Sequence, residues 1–254
     1  MPYQQDCTVL YLRALGEKAY EMILEADGIT EEARPGQFVN LSCGEGHLLR
    51  RPISICETSG MQLRLVFEVR GEGTKWLSER QIDDQVNVLG PLGHGFDVEG
   101  RRVLFIGGGI GVPPLLWAAE SAEHADAALG FASENRAILL ADFARVCGST
   151  AVATDDGSLG LKGNAVDAAR ILLEKNSYDL ICACGPAPLL KAAAALGEEK
   201  GIPCQISMEE RMGCGVGACL VCAVKLRDEN GEPYYGHVCK DGPVFSSKEV
   251  VFDD

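Results

Sequence analysis

Two textures divide the chain. Up to about residue 98, apolar residues come in short runs that alternate with polar ones, the period-two pattern of strands with one buried face. Such runs are Cys7–Leu15, Ala19–Glu25, Phe38–Leu41, Ser54–Cys56, Gln62–Val69 and Gln85–Leu89. Turn-forming residues separate them at Pro35-Gly36, Gly44-Glu45-Gly46, Ser59-Gly60 and Gly90-Pro91-Leu92-Gly93. The pattern predicts a small antiparallel β-barrel over residues 1–98, interrupted by one short helix at Gly73–Arg80.

From about residue 99 the apolar runs become continuous. Val103-Leu104-Phe105-Ile106 reads as a parallel strand buried on both faces. A glycine loop and a helix at Val112–Glu123 follow. The alternation continues with strands at Ala127–Phe131, Ala151–Thr154 and Asp179–Ala183. Helices are expected near Ala137–Arg145 and Val166–Leu173 and at Ala187–Glu199. Strand–helix alternation of this kind predicts a doubly wound parallel-sheet domain over 99–203. Residues 204–254 read as a third, small unit built round a cysteine loop and a hairpin at Asp228-Glu229-Asn230-Gly231. The expected fold class is therefore multi-domain β plus α/β, without internal repeats.

Composition narrows the function. With 254 residues, 46% of them hydrophobic, the chain can fill more than one core. The net charge of −14 and the lack of any basic run disfavour nucleic acid and anionic membrane surfaces as partners. The longest apolar stretch, Val103–Ala119, is broken by glycines and by Pro113-Pro114, so it is not a membrane span. Eleven cysteines are too many, and odd in number, for a small disulfide framework. The start, Met-Pro-Tyr-Gln-Gln-Asp, lacks the charged and apolar regions of a signal peptide, and a reducing cytoplasm is expected. Cys7, Cys43, Cys56, Cys147, Cys182 and Cys204 read as small buried apolar residues.

The richest chemistry lies in Cys214-Gly-Val-Gly-Ala-Cys219-Leu-Val-Cys222, followed by Cys239. Cys-x4-Cys-x2-Cys with a distant fourth cysteine is the plant-type spacing for a 2Fe–2S cluster. Glycines at 213, 215 and 217 let the loop curl so that its amides point at sulfur. Two other readings stand beside this one: a structural zinc site using the Cys219/Cys222 pair, and a set of unrelated buried thiols. Zinc ribbons usually carry two such pairs, and here Cys214 and Cys239 stand alone.

Other motifs are weaker singly. Arg51-Pro52-Ile53-Ser54, preceded by Arg50, sets a guanidinium and a hydroxyl at a strand start, where they can grip a pyrophosphate; an exposed basic pair beside an edge-strand proline is the alternative. Gly71, Gly73 and Thr74 open a short helix whose amides face phosphate or are simply capped by Thr74. Gly107-Gly108-Gly109-Ile110-Gly111 follows the first buried strand and opens a helix, the context of a nicotinamide-nucleotide loop; close helix–strand packing asks for the same small residues. No Walker lysine follows, so ATP hydrolysis is unsupported. Asp155 and Asp156 follow another strand, as ligand groups or as a polar turn. Cys184, before Gly185-Pro186, is the candidate catalytic residue, near a nicotinamide ring, against the alternative of packing alone. No basic pair after the second α/β strand awaits a 2′-phosphate, but Arg136 is close by, so NADH and NADPH are both open.

In this order the motifs resemble the ferredoxin–NADP reductase superfamily over the first 200 residues. With the cluster loop, the whole chain resembles the electron-transfer subunits of dihydroorotate dehydrogenase B. The segment Glu209-Glu210-Arg211-Met212-Gly213-Cys214 is among the most specific parts. The resemblance implies FAD held by Arg51, Pro52, Ile53 and Ser54, lined by Val66, Phe67 and Glu68, with Gly73 and Thr74 on its phosphates. It implies NAD(H) at the glycine loop and a 2Fe–2S cluster on Cys214, Cys219, Cys222 and Cys239. The implied partner is an FMN-containing dihydroorotate dehydrogenase catalytic subunit, in a heterotetramer serving pyrimidine biosynthesis. Where the superfamily carries Arg-x-Tyr-Ser, this chain has Ile53. A ferredoxin- or polysulfide-type reductase subunit shares this architecture, and a zinc-stabilised nucleotide-binding regulator is the reading without redox chemistry.

Overall fold

The computed structural model describes residues 2–252. The first half of the chain closes into a barrel. Its strands are β1 (Tyr3–Ala14), β2 (Ala19–Glu25), β3 (Phe38–Leu41), β4 (Arg51–Ser59), β5 (Gln62–Glu68) and β6 (Gln85–Leu92). They are ordered β1-β2-β5-β4-β3-β6, and every paired neighbour is antiparallel. Alternation builds the core: Val9, Met22, Leu24, Val39, Leu41, Ile55, Leu63, Leu65, Phe67, Val86 and Val88 all point inward and are buried. Two short helices flank it, α1 (Asp27–Glu32) and α2 (Glu72–Ser78). The sequence pattern foresaw α2 but not α1, whose six residues carry little apolar signal besides Ile29.

The second half is a seven-stranded sheet. Its strands are β7 (Arg102–Gly108), β8 (His124–Phe131), β9 (Ser149–Thr154), β10 (Leu161–Lys162), β11 (Leu180–Cys184) and β12 (Cys204–Ser207), all parallel, with a further antiparallel edge strand. Helices α3 (Pro113–Ser121), α4 (Leu140–Val146), α5 (Ala165–Leu173) and α6 (Ala187–Lys200) cover both faces. The continuous apolar run in β7 explains the layering. Val103 and Phe105 pack with Leu115, Leu116 and Phe143 on one face; Leu104 and Ile106 pack with Ala168, Leu190 and Leu196 on the other. The order runs β10-β9-β8-β7-β11-β12, so the winding reverses between β7 and β11, the crevice where such sheets bind ligands.

The last segment is less separate than its sequence suggested. Cys204–Ser207, expected to open the third unit, is β12 and pairs with β11 inside the parallel sheet. After β13 (Ala223–Arg227) and β14 (Pro233–His237), the chain returns as β15 (Val244–Ser246), the antiparallel edge strand beside β12. The hairpin forms where predicted, with Asp228 Oδ1 accepting from the amides of Asn230 (2.9 Å) and Glu232 (2.8 Å). Among the described residues no helix is long and apolar enough to cross a membrane.

Barrel and sheet are joined by charge as well as packing. Arg64 of β5 meets Glu21 (2.6 Å), Glu57 (2.9 Å) and, across the boundary, Asp142 of α4 (2.8 Å). Burial disfavours its charge, yet the neighbouring Cys56 and the carboxylates of Asp142 and Glu57 hold the guanidinium even more firmly protonated than usual.

Candidate functional site

Three groups of predicted residues converge near the boundary between barrel and sheet. The first lies where β4 and β5 part. Their ladder runs from Ser59/Gln62 to Ile55/Leu65 and goes no further. Beyond it, Arg51–Ser54 pair only with β3, and Val66–Glu68 only with β2. The facing edges are left with unpaired backbone groups, the kind of edge that a bound molecule can satisfy. Next to this opening stands the start of α2. There the Arg51 guanidinium lies so close to Gly73 that a Cβ on Gly73 would stand 2.5 Å from Arg51 Nε. Arg51 Nη1 donates to the Leu49 carbonyl, which anchors the fork.

The structure shows where the side chains of this motif turn. Val66 and Phe67 were expected to line a flavin, but their side chains are turned into the two hydrophobic cores, and only their backbone edge reaches the opening. Ile53 rests against the barrel core. The Thr74 hydroxyl accepts from the amides of Arg70 (2.9 Å) and Gly71 (3.2 Å) and donates to the Gly71 carbonyl (3.1 Å), so it shapes the turn that opens the helix. Glu68 pairs with Arg70 (3.0 Å) and with Arg136.

The second group is the crevice at the carboxyl ends of β7, β8 and β11. Gly111 packs on the β11 turn so tightly that a Cβ there would stand 2.5 Å from the Gly185 backbone. Gly107 and Gly108 are similarly hemmed in by Val112 and Leu189. Gly109 has open space before it and lines a cleft with Ile110, Glu17, Glu68, Ala132 and Arg136. Cys184 ends β11 beside Gly107 of β7 and is half-buried. Burial pushes its thiol up to about 12, opposed by a hydrogen bond with Ser207. Asp155 and Asp156 follow β9 as expected, but the Asp156 carboxylate accepts from Ser158 N (2.9 Å) and Oγ (2.6 Å), the polar-turn alternative. Ser158 Oγ in turn receives the Glu134 amide (2.8 Å), so the loops after β8 and β9 are stitched together.

The third group is the cysteine loop. All eleven cysteines are free, and Cys147 is half-buried where full burial was expected. The four expected ligands gather as two pairs, Cys214 beside Cys219 and Cys222 beside Cys239, each within side-chain hydrogen-bond reach. Two irons with two thiolates each need this arrangement. The loop amides already face the sulfurs: Val216 (3.4 Å) and Ala218 (3.2 Å) donate to Cys214 Sγ, Cys214 N to Cys219 Sγ (3.3 Å), and Gly217 N to Cys239 Sγ (3.1 Å). Gly215 and Gly217 make this possible, with φ of 77° and 81°. Burial works against a Cys214 thiolate, but the amides of Val216 and Ala218 and the neighbouring Cys219 hold its thiol down to about 6. Desolvation pushes Cys239 up to about 12, and the Cys222 contact adds to it. Among the described residues no group of three or more His, Cys, Asp or Glu converges as a single ion requires. The donor set and the amide cage thus fit the binuclear cluster better than zinc.

A six-stranded barrel with a parted ladder, set beside a parallel sheet with a glycine loop at its switch point, defines the ferredoxin–NADP reductase class of fold, here extended by a cluster loop. Residues 209–251 match the iron–sulfur cluster binding domain of dihydroorotate dehydrogenase B. The chain is 42% identical to the dihydroorotate dehydrogenase B (NAD(+)) electron transfer subunit of Geobacillus thermodenitrificans, covering 98% of each chain. It is 38% identical to that of Caldanaerobacter subterraneus subsp. tengcongensis, covering 99% of this chain and 100% of the relative. A solved NADH-dependent reduced ferredoxin–NADP oxidoreductase superposes with a TM-score of 0.87 at 28% identity, over 96% of this chain and 89% of that one. The chain belongs to the family of dihydroorotate dehydrogenase B electron transfer subunits.

Proposed function

We propose that this chain passes electrons between NAD and a catalytic dihydroorotate dehydrogenase, using FAD and a 2Fe–2S cluster. Family membership supports the activity, and the observation that carries it is the pairing of Cys214 with Cys219 and of Cys222 with Cys239 under an amide cage. When bound, FAD exchanges two-electron hydride chemistry for one-electron chemistry, and the cluster carries single electrons.

The chain's own residues bind and orient. Arg51, braced over Gly73, would supply the charge-assisted fork for the FAD pyrophosphate. Ser54 would offer a hydroxyl; Pro52, Ile53 and the backbone of Val66–Glu68 would form the walls. Gly107, Gly108, Gly109 and Gly111 would let NAD approach the β7 end closely, with Asp155 on the rim. Cys184 stands at the same crevice as a neutral thiol, suited to contact with the nicotinamide rather than to acid–base chemistry at neutral pH. The functional division is 1–98 for FAD, 99–203 for NAD and 204–254 for the cluster, with β12 and β15 fastening the last to the sheet. The catalytic partner would contain FMN and assemble with this chain as a heterotetramer.

The test is Cys219→Ser in the full complex. NADH-to-dye activity is expected to survive and electron transfer to the partner to fail. Survival of both sinks the relay.

A further inference from the structure

Asn40 lies on β3 and is completely buried. Among the described residues, neither Nδ2 nor Oδ1 of its side chain has a hydrogen-bond partner. A buried amide left unmatched forfeits its hydrogen bonds to water without replacement, so such a group calls for an explanation. Its surroundings supply one. Val39 points into the barrel, whereas Asn40 shares the outer face of β3 with Phe38, which packs in the same cluster as Leu92, Cys222 and Cys239. A Cβ on Gly215, the residue after Cys214, would stand 2.7 Å from Asn40 Nδ2 and 3.4 Å from Leu92. On the other side, Asn40 is in register with Pro52 of β4, inside the Arg51–Ser54 motif. Its main chain is fixed as well, because Arg50 Nη1 donates to the Asn40 carbonyl (3.1 Å). The amide is therefore held between the strand that bears the flavin motif and the loop that bears the cluster ligands.

We propose that the Asn40 side chain is a positioning residue for the iron–sulfur centre, donating an N–H to a sulfur of the cluster held by Cys214, Cys219, Cys222 and Cys239. The inference rests on the iron–sulfur reading above. The loop's own amides already serve Cys214, Cys219 and Cys239, and a bound cluster adds further sulfur acceptors. A donor at sulfur stabilises the more negative, reduced cluster and so raises its potential. Asn40 would also fix the loop against the barrel, holding the centre at a set place relative to β4.

The test uses the full chain with its cofactors and follows the cluster potential, not turnover. Asn40→Leu is isosteric and removes the donor. At a fixed potential its reduced-to-oxidised cluster ratio is expected to fall about tenfold, or about 59 mV for one electron, while the FAD potential stays put. Asn40→Ala is the second variant should leucine not be accommodated. Independently, side-chain ¹⁵N-labelled asparagine in the reduced wild type is expected to show a weak hyperfine coupling that the leucine variant loses. An unchanged potential in a variant with full iron and acid-labile sulfide, or no such coupling in the wild type, overturns the role of Asn40. Wild-type protein lacking iron and sulfide overturns the iron–sulfur reading itself.

Discussion

Arg136, on the turn after β8, is ion-paired with Glu68, the last residue of β5. Glu17 stands 3.7 Å from the same guanidinium. The pair spans the cleft that Gly109 and Ile110 line from the other side, so it joins the barrel to the mouth of the nucleotide crevice. It also bears on coenzyme choice. Arg136 is the cation best placed after the second α/β strand to meet a 2′-phosphate, and two carboxylates of the barrel already occupy it.

Releasing that cation should therefore improve the use of NADPH. Glu68→Gln combined with Glu17→Gln leaves Arg136 without its acidic partners. The expected gain is about tenfold in kcat/KM for NADPH, the worth of one charge-assisted contact, with NADH little changed. Steady-state kinetics with both coenzymes, at matched FAD content, read it out. If NADPH use stays at the wild-type level, Arg136 does not face the coenzyme.

Arg64 offers a contrast in burial. Its side chain is 14% exposed and Glu21 only 4%. Arg64→Met leaves Glu21 with the half-exposed Arg13 alone and severs the links to Glu57 and Asp142. The loss should be about 2 kcal/mol, a fall in Tm of roughly 4–8 °C for a chain of this size. Arg13→Met, which removes a half-exposed partner of the same Glu21, should cost about 1 kcal/mol or less. Thermal unfolding of both variants decides the ranking; equal shifts would mean that Arg64 is not the keystone of the junction.

These pairs mark the limit of what the sequence reveals. The barrel strands are legible because period-two alternation has one physical cause, a buried face, and β7 because both of its faces are covered. The cysteine spacing is legible because a loop that wraps two irons leaves few choices of interval. That Cys204–Ser207 is a strand of the parallel sheet was not legible, because four residues carry no period and the cysteine loop drew attention forward. Thr74, Val66 and Phe67 sit in the expected motif, yet which way each side chain turns depends on the register of β5 against β2 and on the Gly71 turn. Asn40 and the Glu68–Arg136 pair leave no trace in the sequence, because each depends on residues brought together only by the closed barrel.

The contact between Arg51 and Gly73 gives a flavin-specific prediction. In Gly73→Ala the new methyl group meets the guanidinium at 2.5 Å, and Arg51 must swing away from the helix start. The guanidinium is the end of a flexible side chain and can give way with little cost to the fold, so the effect falls on its position, and FAD affinity should fall by about tenfold, the worth of one charge-assisted contact. The ratio of flavin absorbance to iron in purified protein measures it, because the cluster loop lies outside the change. Unchanged FAD content would remove Arg51 and Gly73 from the flavin site.

Cys184 yields the pH prediction. Its thiol is raised to about 12 by burial, so it is protonated across the neutral range and loses its proton only as the pH approaches that value. A group with a raised pKa contributes no ionisation to a rate profile between about pH 6 and 9, unlike an ordinary cysteine near 8.5. NADH-to-dye activity should therefore show the same pH profile in Cys184→Ser as in the wild type, although the absolute rate should fall several-fold if the sulfur packs against the nicotinamide. Iodoacetamide at about pH 8 should leave Cys184 unlabelled, since only the thiolate reacts. A limb of the profile that the serine variant abolishes, or rapid alkylation of Cys184 tracked by peptide mass, would show a thiolate at the crevice and make the residue an acid–base participant instead.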